Sequence, residues 1–158
     1  MKIMLLTLAV LANVLFQPAP LSEASSNQIA SKSDITYPKL EYLDNQSKSF
    51  ISEDEFYNEV DKNIYQEYKN AAFSIRQKIS FKDVPDAEFT FNRKTNLISG
   101  KMDLKHQTDV HPNRQVYFMA SFHQNEKEEW HKYVVIDAET KKVLLGGNHY
   151  HLYENPYK

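Results

Sequence analysis

Three kinds of hydrophobic pattern follow one another along the chain. Ile3 to Phe16 is an unbroken apolar run of fourteen residues behind Lys2. From Phe56 onward, Phe56, Val60, Ile64, Tyr68, Ala72, Ile75 and Ile79 recur every three or four positions, with Glu59, Lys62, Glu67 and Lys69 off the stripe. That spacing puts one apolar face on a helix. Beyond Pro85 the period falls to two. Phe89 and Phe91 alternate with Glu88 and Thr90, and Ile98, Gly100, Met102 and Leu104 alternate with Ser99, Lys101, Asp103 and Lys105. Both runs read as half-buried strands. Gln115–Gln124 and Trp130–Asp137 are longer aromatic and β-branched strands joined by Asn125–Glu128, and Lys142 to Leu152 follows the polar turn Ala138–Lys141.

The start of the helix is marked locally. Ser52 and Glu55 have the spacing of a capping box, and Ile51 and Phe56 that of a hydrophobic staple. Glu53, Asp54 and Glu55 complement the dipole of the first turn. The pattern predicts one helix from Glu53 to about Ile79, about 40 Å long at 1.5 Å per residue. A helix with a single apolar stripe needs a surface to lie on. The predicted class is α+β, one long N-terminal amphipathic helix packed on an antiparallel meander of four to five strands. An echo between Phe91-Asn92-x-Lys94-Thr95-x-x-Ile98 and Ile136-Asp137-x-Glu139-Thr140-x-x-Val143 reads as repeated hairpin-turn chemistry, with short polar side chains bonding their own backbone.

The first apolar run is shorter than the ~20 helical residues a bilayer core requires. Pro18, Pro20 and Ser22-Glu23-Ala24 complete a signal-peptide pattern cut behind Ala24. No cysteine follows to carry a lipid, so the mature chain is expected free of the membrane, secreted and extracellular. Residues 1–24 are thus read as signal peptide, 25–50 as a flexible polar lead-in and 51–158 as a single domain. Tyr37, Leu40, Tyr42 and Leu43 are the lead-in residues able to dock on that domain. The absence of cysteine from an exported domain of this size favours a bacterial source. In such a product the sequon Asn45-Gln46-Ser47 is chance. A net charge of −2 gives no basic excess for phosphates, which argues against a nucleic-acid role, and no nucleic-acid partner is expected. Six histidines in the mature part would, once protonated below about pH 6.5, reverse the sign of the surface.

Tyr133-Val-Val-Ile-Asp137-Ala-Glu-Thr140-Lys-Lys-Val143 resembles the strand–turn–strand of PepSY-type domains, with an apolar strand ending in Asp and a Thr three later. Lys141 stands where those hairpins usually carry Gly. The predicted element order is also similar to cystatin-like and nuclear-transport-factor-like rolls. What the resemblance implies is a secreted or envelope-associated binding or inhibitory module, and it transfers no catalytic residue.

Candidate chemistry lies near the C-terminus. His149 and His151, two apart on a strand, point to one side and present two imidazoles to a single ion. Zinc or copper would suit them, with His131, His123 or Asp137 completing the set. A turn at Asn125–Glu128 pairs Gln124 with Glu129, so His123 faces Trp130 and His131 faces Phe122, on opposite faces of the sheet. Gly146-Gly147 has the character of a bulge that would turn His149 and His151 away from the core face. His106, Asp109 and His111 form a second, loop-borne cluster without an established metal spacing. No Gly-x-Ser-x-Gly elbow, nucleophilic cysteine, phosphate-binding glycine loop or His-Glu-x-x-His helix is present. Glu129 or Asp137 beside a histidine in a roll pocket is the remaining enzymatic arrangement.

Aromatics make up 13% of the chain, and Trp130, Tyr133, Tyr150, Tyr153 and Tyr157 gather in the last strands and tail. Such side chains combine large contact area with one polar end, which suits recognition. Tyr133 is assigned to the core. The chain therefore reads as a non-enzymatic secreted module, an inhibitor of an extracellular protein being one form of it. Trp130, Tyr150, Tyr153 and Tyr157 are its binding residues, and no cofactor is required. The alternative is a small-ligand or metal-binding roll domain built on His149 and His151.

Overall fold

The structure, a computed structural model, describes residues 39–153. The predicted signal peptide, the lead-in up to residue 38 and the candidate residue Tyr157 lie outside the described residues. Within them, the order is α1 (Glu53–Glu59), β1 (Phe73–Ser80), a 3-10 turn (Phe81–Asp83), α2 (Val84–Lys94), β2 (Gln115–Gln124), β3 (Glu128–Asp137) and β4 (Val143–Leu152). The four strands form one antiparallel sheet in chain order.

This overturns the predicted architecture. Among the described residues there is no long amphipathic helix before the sheet, so the predicted roll of one long helix on a meander is not formed. The capping box forms as expected, with the Ser52 hydroxyl accepting from the Glu55 amide, yet α1 ends after seven residues. Its Phe56 and Val60 do face the core. Farther along the stripe Ile64 is exposed, and Ile75 and Ile79 lie in β1. A separation of four satisfies a helical period and a period of two equally, so those isoleucines fit either template. Phe73, which falls off the helical stripe, joins them on one face of the strand and stacks on Phe91.

The second correction is at Pro85. Read as a breaker, it stands in the first turn of α2, where its missing N–H costs nothing and its fixed φ suits the helix. Val84, Ala87 and Phe91 are buried at helical spacing. The strand expected at residues 87–92 is therefore helix, and residues 98–104 form no strand, although Met102 and Leu104 still pack on the core. The two halves of the sequence echo accordingly differ. Asp137 and Thr140 do close a hairpin turn, whereas Asn92 and Thr95 end a helix, Thr95 Oγ1 donating to the Phe91 carbonyl at 3.0 Å.

Both faces of the sheet are covered at its centre. On one, α2 delivers Val84, Ala87 and Phe91 onto Val116, Phe118, Ala120, Phe122 and Val135. On the other, Phe56, Val60 and Tyr65 cover Tyr117, Met119, Val134 and Ile136. Central strand β2 is consequently apolar on both sides, and its run Val116–Phe122 is buried throughout. Part of the polar lead-in packs here as well. Tyr42 pairs with Val110 in a parallel bridge, and the buried Asn45 accepts from the Gln115 amide at 2.7 Å.

Candidate functional site

The β3–β4 hairpin carries most of the candidate residues, and a buried ion pair fixes its turn. Asp137, fully buried, accepts from Arg114 Nε at 2.6 Å and Nη2 at 2.9 Å, and from the Thr140 amide and hydroxyl at 2.7 Å each. Burial raises the carboxyl pKa, but Arg114 and Thr140 outweigh it and hold the group below the usual carboxylate value. Arg114 also donates to the Leu43 carbonyl and pairs with Glu139 at 2.8 Å. Its four hydrogen bonds and full burial commit Asp137 to the turn rather than to a metal. Lys141 completes the turn with φ of 62°, the left-handed conformation that glycine adopts without cost.

The predicted register holds across the turn at Asn125, with His123 opposite Trp130 and Phe122 opposite His131. The irregularity in the β3–β4 ladder lies between the pairs Val135–Leu145 and Ile136–Val143, at Leu144 rather than at the glycines. Leu145, His149 and His151 therefore share one face without any reversal at Gly146-Gly147.

On the α1 side, Trp130 lies between His123, with ring centres 5.2 Å apart, and Tyr150, at 5.7 Å. The Lys132 ammonium rests over the Tyr68 ring at 4.0 Å. Trp130 is half-buried, whereas Tyr150 is 53% and Leu152 59% exposed. The Tyr150 hydroxyl donates to Glu128 at 2.7 Å, and this bond raises its pKa. Trp130, Tyr150 and Tyr68 line a shallow groove of about 430 Å³. β4 is an outer strand, with no further strand paired to it among the described residues.

Tyr153 does not line that groove. Its hydroxyl donates to Glu129 at 2.8 Å and accepts from Gln124 at 2.7 Å, on the opposite face beside His151. His149 on that face neighbours His131, ring centres 5.9 Å apart. His131 itself is buried between Phe91 and Phe122. Burial is the main cause of its lowered pKa, outweighing the opposing influence of Glu129 and of the Thr95 backbone. That backbone faces the ring without forming a hydrogen bond of normal geometry to either nitrogen. Among the described residues, no group of three or more His, Cys, Asp or Glu side chains converges to hold a metal ion, and the cluster at His106, Asp109 and His111 is no exception.

Three contributors escaped the sequence reading. Arg114 pairs with a residue 23 positions away, which no local pattern signals. Glu88 and Asn92 bond one another at 3.0 Å across a helical turn, a spacing of four that was legible only once the segment was known to be helix. Comparison with family models, with curated proteins and with solved structures found no match.

Proposed function

We propose that the chain is a secreted, non-enzymatic binding module whose partner is an extracellular protein, held by the aromatic ledge of Trp130 and Tyr150 and the free edge of β4. The observation that carries this reading is the conjunction of exposed Tyr150 and Leu152 with an outer strand ten residues long. Unpaired strand edges accept an extended segment of another chain through main-chain hydrogen bonds, and aromatic side chains beside the edge supply contact area. The likeness of Tyr133–Val143 to a PepSY-type hairpin gives the same class of protein. The turn clasp of Arg114 and Asp137 keeps the ledge in register in the absence of a partner, which lowers the ordering cost of association.

The test is capture of extracellular proteins on the immobilised full chain, beside Tyr150→Ala and Leu152→Asp variants. A partner retained by the parent and lost from both variants, whose melting temperatures stay close to the parent's, supports the reading. Equal retention by all three overturns it.

A further inference from the structure

We propose that the cleft between the second half of α2 and the β3–β4 ladder, on the face opposite the aromatic ledge, binds a small organic cation with several N–H donors: an amine, amidine or guanidine. The cleft measures about 340 Å³ and is walled by Phe91, Leu97 and Tyr133, within the range of small-ligand sites. Two of the side chains that line it carry buried, unpartnered polar atoms. His131 is 3% exposed, and neither Nδ1 nor Nε2 makes a hydrogen bond. Glu88 Oε2 is buried and likewise unpaired. Native interiors rarely leave such groups unsatisfied unless they have a use.

The carboxylate is aimed rather than loose. Glu88 Oε1 accepts from Asn92 Nδ2 at 3.0 Å, and the same buried amide donates to Ser99 Oγ at 2.8 Å. Glu88 also sets the charge of the cleft, because Lys132, which lines it, sends its ammonium to the other face over Tyr68. Burial favours the neutral imidazole at His131, leaving one ring nitrogen to accept. A cation with two N–H groups satisfies the carboxylate and that nitrogen together, in charge-assisted bonds stronger than neutral ones. The faces of Phe91 and Tyr133 add cation–π attraction. An anion would meet Glu88 instead. A chelated metal is disfavoured because no third ligand converges with His131 and His149 among the described residues. Gly147 shapes the wall: a Cβ there would stand 2.7 Å from Tyr133 Cε1, so the tyrosine ring lies directly on the glycine.

The probes are benzamidine and benzylamine, with benzyl alcohol and benzoate as neutral and anionic counterparts, titrated into the full chain and followed calorimetrically. Both cations are expected to bind at least about tenfold more tightly than either counterpart, and Glu88→Gln to remove most of that preference. Gly147→Ala, which forces Tyr133 off its seat, weakens the cations without touching Glu88 or His131, and it serves if Glu88→Gln does not fold. Tyr150→Ala, on the other face, leaves cation binding unchanged, so failure here is separable from failure of the protein-binding reading. Benzoate binding as tightly as benzamidine, no binding by any probe, or zinc stabilising the chain where benzamidine does not would each overturn the proposal.

Discussion

Asp137 carries four hydrogen bonds in a site closed to water, two of them from one guanidinium. Removing Arg114 strands a buried carboxylate, which typically costs about 3–5 kcal/mol. Arg114→Met is expected to lower stability by that order in urea melts, with Asp137→Asn a milder change. Lys141 is the other residue under constraint. Its left-handed backbone disfavours any side chain by about 1–2 kcal/mol, while its ammonium covers the Phe56 ring at 4.5 Å. Comparing Lys141→Gly with Lys141→Ala cancels the loss of that cover. The glycine variant should be the more stable by about 1 kcal/mol, and equal melting temperatures would refute the strain. The Asp-to-Thr turn was legible from local spacing. Its arginine partner was not, because a contact across 23 residues leaves no periodic trace.

α2 and β1 exchanged identities between sequence and structure for two related reasons: a spacing of four fits both periods, which hid β1, and the alternation of Phe89 and Phe91 masked the helical set Val84, Ala87 and Phe91 in α2. Phe89 and Phe91 illustrate the point. On a strand they would share a face and a fate. On α2, Phe91 is buried against Phe73 and His131, whereas Phe89 is only half-buried, beneath Arg93. Phe91→Ala should therefore cost about 3–5 kcal/mol and Phe89→Ala about 1 or less. Equal losses in thermal melts would return the segment to a strand. β2 and β3 were readable because their aromatic and β-branched runs outlast any ambiguity, and β4 from the polar turn Ala138–Lys141 that precedes it. The cleft was not, because it depends on Glu88 and Asn92 lying on a helix.

At the scale of the whole fold, two buried groups, His131 and Asp137, link stability to acid with the same sign in separate windows. His131 takes up its proton less readily in the fold than at its ordinary value of 6.5. The unfolded chain therefore binds more protons there, and stability falls as pH drops below 6.5 towards the lowered value. Asp137 acts below 3.8, where protonation begins to cost the native ion pair. His131→Phe should flatten the loss that sets in below pH 6.5 while leaving the deeper acid transition. An unchanged slope would assign that window to other groups. The sheet is held unevenly along its length. Around Val134 to Asp137 it is packed on both faces, but from Asn148 to Leu152 the side chains of β4 are exposed. Backbone amides of that end should exchange with solvent well before those of β2. Pulled from its C-terminus, the hairpin would open like a zipper from the Glu128–Leu152 pair, one rung at a time. Arg114 and Asp137 are the stop at the bottom of its track, so a tug on a bound partner would spend itself in β4 before reaching the core.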